Sequence, residues 1–220
     1  TLFGSLQFSQ QTPPATSYLS ILESLCSNNA TTLEIHDRLM QMGGLVGNVL
    51  TSQTVNLDLH ANIASNNLTA RIGDANYSDV QWWMEWYTDT GATASNATIN
   101  VTYNDGTSGD LTVVAVGGTL RATRMIPLNG LIPAAASGKF IRDINTVILS
   151  ASTGTVGNFG FTATRFRGAN FMPIANARFT AEWTELGLPE IANESCIFPI
   201  EIASTTTTGI VRATGKISHG

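Results

Sequence analysis

From Gly44 onward the chain is broken roughly every ten residues by Gly, Asn, Asp or Ser, with short apolar runs between the breaks. That rhythm is the strongest constraint on the fold. Segments so short suit strands, whereas a globular helix needs a periodic stretch of about 10–12 residues. The runs place candidate strands at 53–59, 79–88, 97–103, 111–116, 121–127, 143–150, 157–165, 196–203 and 210–217. Within 97–116, Ile99, Val101 and Tyr103 alternate with polar residues before a loop holding Asp105-Gly106 and Gly109, which reads as a hairpin. Many strands without helical periodicity between them predict an all-β fold, an antiparallel β-sandwich of jelly-roll type.

The first forty residues break the rhythm. Residues 1–14 form an arm dotted with Leu2, Phe3, Leu6 and Phe8 that ends at Pro13-Pro14, where helix cannot continue. In 17–26 the residues Leu19, Leu22 and Cys26 stand at helical spacing ahead of Asn28-Asn29, which predicts one short helix. Residues 31–42 fit neither period cleanly and lean to strand or irregular structure leading into Gly43-Gly44. The predicted organisation is therefore an arm with a short helix over 1–30, followed by a sandwich domain over 31–220.

Composition narrows the function classes. Charged residues make up 12% of the chain, about half the usual share of about 25%, and Thr, Ser, Asn, Ala and Gly take their place. A formal net charge of −5 with 11 scattered Lys and Arg provides no basic patch to neutralise phosphates, so no nucleic-acid partner is expected. No apolar stretch approaches the roughly 20 residues that span a bilayer, and the N-terminal residues lack a secretory pattern, so no membrane partner is expected either. Cys26 and Cys196 form no metal or redox motif; two free, largely buried thiols are expected, with a disulfide between them as the alternative. Six Asn-x-Ser/Thr sequons, at Asn29, Asn67, Asn76, Asn96, Asn100 and Asn193, are what so Asn-, Ser- and Thr-rich a chain produces by chance.

Candidate chemistry is sparse. His36, Asp37 and Arg38 are adjacent, so a strand points them apart, and no Gly-x-Ser-x-Gly elbow supplies a serine nucleophile. No group of His, Cys, Asp and Glu has metal-ligand spacing, so no catalytic residue, metal or cofactor is expected. The oxygen-rich loop 104–110 lacks the calcium-binding pattern and is explained by turn chemistry. Gly154, Gly157 and Gly160 precede neither a Lys-Ser/Thr pair nor a helix, so they form no phosphate loop. The densest feature is Trp82-Trp83-Met84-Glu85-Trp86-Tyr87. Strand alternation puts Trp82, Met84 and Trp86 on one face and Trp83 and Tyr87 on the other. One face is core. The second is a candidate partner contact, a surface buried under a loop, or a sugar-binding platform.

Three stretches resemble a group of tailed-bacteriophage virion proteins. They are DANYSDVQWWMEWYTDTGATASNATINVTYNDGTSGDL (74–111), then RMIPL (124–128) with IRDINTVILSASTGTVGNFGFTATR (141–165), and finally LGLPEIANESCIFPIEIASTTTTGIVRATGKISHG (186–220). The resemblance runs over roughly residues 32 to 220 and rests on the order of the turn and strand motifs. It implies a non-enzymatic β-sandwich subunit of the virion, assembled in the host bacterial cytoplasm. The expected role is head decoration, bound to the major capsid protein or other virion subunits and homo-oligomeric, with collar, neck or tail positions and a carbohydrate-binding module as alternatives. The expected partner-binding residues are Leu2, Phe3, Leu6, Phe8, Trp83 and Tyr87.

Overall fold

The computed structural model describes residues 6–118, 121–205 and 209–220. Among the described residues strands take 49% and helices 7%, and the strand pairs with assigned registers are antiparallel, so the class is all-β. In chain order the strands are β1 (Ser17–Cys26), β2 (Thr31–Leu45), β3 (Gln53–Asp58), β4 (Val80–Thr88), β5 (Asn96–Tyr103), β6 (Ser108–Asp110), β7 (Val114–Ala115), β8 (Met125–Pro127), β9 (Ile141–Leu149), β10 (Asn158–Met172), β11 (Phe179–Ala181), β12 (Glu190–Ile191), β13 (Ile197–Ala203) and β14 (Val211–His219). The two α-helices are single turns, α1 (Leu68–Arg71) and α2 (Trp183–Leu186). The chain divides into two compact units, 39–164 and the pair 1–38 with 165–220, where the sequence suggested one sandwich over 31–220. The long strands β2 and β10 each pass from one unit to the other.

The unit 39–164 is a sandwich. One sheet runs β3–β9–β5–β6, with β7 also paired to β5; the other carries β10, β4 and β8. Alternation on β4 sends Trp82, Met84 and Trp86 inward, where they meet Ile99 and Val101 of β5, Ile144 and Val147 of β9, and Phe159 and Phe161 of β10. The buried Trp82 indole donates to the Ile141 carbonyl at 2.8 Å, so its polar atom is satisfied inside the core. Gly160 is required on β10: a Cβ there would lie 1.9 Å from the Met42 carbonyl oxygen, so the strands pass closer than any side chain allows. The hairpin forms as expected but with a tighter tip. Ser108–Asp110 pair with Asn100–Thr102, leaving a turn of 104–107 in which Asp105 Oδ1 accepts from Thr107 N at 3.0 Å and Lys139 Nζ lies 2.8 Å from the same carboxylate.

The unit formed by 1–38 and 165–220 has its own core of Leu19, Leu22, Cys26, Leu33, Ile35, Met172, Ile191 and Ile197. Its first sheet is centred on β1, paired along its length by β14 on one side and by β11 and β12 in tandem on the other. Its second contains the opening half of β2, paired to β13. Here the structure corrects the expected helix over 17–26, which is strand β1. Its buried positions alternate until a bulge between Leu19 and Ile21 inserts one extra residue. The bulge stretches the inward spacing to Leu19, Leu22, and so mimics a helical period in a strand.

Candidate functional site

Between the two sheets of the unit 1–38/165–220 lies an open apolar cleft of about 620 Å³. Its floor is Leu19 and Leu22 from β1 and Leu33 and Ile35 from β2. One wall is the alternate residues Val211, Ala213, Gly215 and Ile217 of β14; the other is Ile197, Pro199 and Glu201 of β13, together with Leu6 and Phe8 of the arm. A period of two on both walls exposes the inward faces of two strands where the sandwich stays open. The one carboxylate on the walls, Glu201, accepts from Gly209 N at 3.2 Å, with the Cys26 thiol at 3.9 Å. Volume and lining fall in the range of binding clefts, which are concave, mostly apolar and carry few polar groups.

The arm closes one end of this cleft. Leu6 N donates to the Ile197 carbonyl at 2.6 Å, and Asn193 holds Gln11 from both sides, its Oδ1 accepting from Gln11 N at 3.0 Å and its Nδ2 donating to Gln11 O at 2.8 Å. Phe8 is partly buried against the core, whereas Leu6 is 51% exposed. Among the expected contact residues, Leu2 and Phe3 lie outside the described residues. Trp83 is a correction. It is buried, with its indole N–H donating at 2.8 Å to Thr164 Oγ1 on the neighbouring strand β10. Tyr87 keeps partial exposure; its ring lies on Gly43, and its hydroxyl donates to Glu85 at 3.2 Å.

A buried polar network stands beside the start of β13. Asp37 is fully buried, accepts from Ser195 Oγ at 2.9 Å and Cys196 N at 2.8 Å, and lies 3.5 Å from the Arg167 guanidinium. The neighbouring His36 is also buried; its Nε2 meets Glu34 at 2.9 Å and its ring meets Phe166 edge-on at 5.7 Å. The Ser195 hydroxyl is directed at a carboxylate rather than at an imidazole, so the group lacks the nucleophile–base contact of acyl-transfer sites. It ties β2 to β13. The sequence placed His36, Asp37 and Arg38 together but offered no sign of Arg167, which comes from β10, or of Ser195, which comes from the segment just before β13.

Several groups of the unit 39–164 are electrostatically perturbed. Burial pushes the Asp143 carboxyl up, against the opposing hydrogen bond from Arg142 Nε at 2.6 Å and another from His60 N at 3.3 Å. Burial likewise raises the Tyr77 and Tyr103 phenols. The Lys139 ammonium and Thr107 hold Asp105 well below the usual carboxylate range. Among the described residues no group of three or more His, Cys, Asp or Glu is placed to hold a metal ion, and no helix is long and apolar enough to cross a membrane. Cys26 is buried and Cys196 partly exposed, both as free thiols.

No protein-family model and no curated protein matches the chain. Among solved structures it is similar to the VP2 subviral particle of infectious bursal disease virus, at 13% identity and a TM-score of 0.20, and to the Gt strain of that virus, at 13% and 0.17. The matches cover 98% and 99% of this chain but 46% and 47% of those chains, so it spans about half their length. At these TM-scores the backbones do not superpose as one fold, and the likeness carries no argument about this chain.

Proposed function

We propose that the chain is a non-enzymatic structural subunit of a tailed-phage virion, a head-decoration protein seated on the major capsid protein. The observation that carries this reading is the open apolar cleft with the exposed strand β14 along one wall. A sandwich that leaves its inward faces uncovered has surface to give to a neighbour, and apolar area removed from water contributes roughly 25 cal/mol per Å² to holding it. The low charge density supports the same reading, since contacts repeated over a particle surface desolvate few ions. The ordered motifs over residues 32–220 supply the phage assignment. The sugar-binding alternative loses its platform with the burial of Trp83.

The experiment is co-sedimentation of purified protein with capsids of the phage that carries it, prepared without this subunit. Saturable binding to capsids supports decoration. Binding to isolated necks or tails but not to capsids moves the subunit there, and failure to bind any of them refutes the reading.

A further inference from the structure

The two strands that border the open side of the cleft treat their outer edges differently. Leu6 N donates to the Ile197 carbonyl, so Ile197, Pro199 and Glu201 turn their backbone groups outward from β13. Proline at the middle position has no N–H to offer, and the arm covers the first. This edge is blunted in the usual ways, with a proline and a covering segment.

Among the described residues the outer edge of β14 has neither device, and its guards are the exposed Arg212 and Lys216. The strand runs nine residues without proline, and most of its residues are exposed. Ser27 N donates to the Ile210 carbonyl, Ser20 Oγ to the Lys216 carbonyl, and Gly220 and Thr16 exchange bonds, so even-numbered residues turn their backbone groups toward β1. The bulge in this pair lies on β1, so the alternation on β14 is unbroken. Val211, Ala213, Gly215, Ile217 and His219 therefore present N–H and C=O outward, and among the described residues no strand takes them.

We propose that β14 pairs antiparallel with β14 of a second copy of this chain, about a two-fold axis at Gly215. The register is self-consistent. Val211 falls opposite His219 of the second copy, Ala213 opposite Ile217, and Gly215 opposite itself, each pair made of residues whose backbone groups point outward. On the other face Arg212 falls opposite Ser218 and Lys216 opposite Thr214, so no like charges stand directly opposed. The apolar alternation that lines the cleft continues onto the added strand, which covers the half-exposed Val211 and Ile217. A strand paired with its own copy forms an isologous contact, the commonest arrangement of homodimers. The pairing is a property of the free chain and does not depend on the virion assignment, so the two readings fail separately.

The test is the oligomeric state of the full chain by sedimentation velocity, with two variants. Ala213→Pro removes an outward N–H and leaves the ladder to β1 intact, so it gives a folded monomer, whereas Thr214→Pro removes an inward N–H and costs the fold of this sheet. Gly215→Cys places two thiols across the axis at a Cα separation of about 5.5 Å, inside the roughly 4.4–6.8 Å disulfide window. Oxidation then yields a covalent dimer whose crosslinked peptide, by mass spectrometry, joins residue 215 to itself. A monomeric wild type, or a dimer that survives Ala213→Pro, overturns the proposal. Where Ala213→Pro fails to fold, the 215–215 crosslink decides alone: its formation supports the pairing and its absence refutes it.

Discussion

Trp83→Ala separates a buried strand residue from a contact residue. The side chain is 6% exposed, and its indole N–H donates to Thr164 Oγ1 at 2.8 Å. Truncating a buried Trp costs about 3–5 kcal/mol, from lost burial and the void left behind. For a chain of this size, with about 2–4 °C of midpoint per kcal/mol, the expected drop in thermal midpoint is roughly 6–20 °C. Trp83→Phe keeps most of the ring buried and loses mainly the hydrogen bond, a cost of about 0.5–1.5 kcal/mol. Denaturant unfolding followed by near-ultraviolet circular dichroism measures both, and the alanine variant is expected to lose several times more than the phenylalanine variant. If Trp83→Ala stays within about 0.5 kcal/mol of wild type, as surface substitutions do, the burial argument for β4 is wrong.

Asp143 carries a pH signature. Its carboxyl is raised in the folded protein, so its contribution to stability is present below the ordinary carboxylate range and is lost as pH rises through it; Asp143→Asn should therefore gain stability relative to wild type between about pH 3 and pH 7, as read by thermal melts at both. Maleimide labelling followed by mass spectrometry should modify the partly exposed Cys196 well before the buried Cys26, and equal rates would contradict the packing of β1. Deleting residues 1–14 removes Phe8 from the core and the Leu6 bond to Ile197, and should destabilise the free protein by about 1–3 kcal/mol; an unchanged midpoint would mean that the arm docks elsewhere.

The strands with a plain alternation were legible in the sequence. Residues 53–59, 79–88, 97–103, 143–150, 196–203 and 210–217 match β3, β4, β5, β9, β13 and β14 to within a residue or two, because each is a short apolar-containing run bounded by turn residues. The failures have physical causes. In 17–26 a bulge altered the inward spacing, and local pattern alone does not separate a bulged strand from a helical turn. Among the described residues of 111–128 the strands are confined to Val114–Ala115 and Met125–Pro127, and the apolar residues Leu111, Val116 and Leu128 reach the core from irregular backbone. Trp83 was legible as the second face of an aromatic strand, but its burial, with the indole bonded to Thr164, joins residues 81 apart in sequence.

The cleft was illegible for the same reason. Its walls come from β13 and β14, its floor from β1 and β2, and only folding brings them together. The sequence did mark the apolar arm, and the structure places Leu6 and Phe8 at the rim of that cleft. The network around Asp37 assembles in the same way, from a dipeptide visible in sequence and from Arg167 and Ser195, which are not.

The copy number of this chain in purified particles tests most directly its proposed role as a repeated structural subunit of a virion. Quantitative mass spectrometry of gradient-purified virions, scaled to the major capsid protein, should find it in a fixed ratio to that protein, at the many copies per particle that head decoration requires. A handful of copies would place it at the neck or tail. Its absence from particles whose genome encodes it would contradict the account.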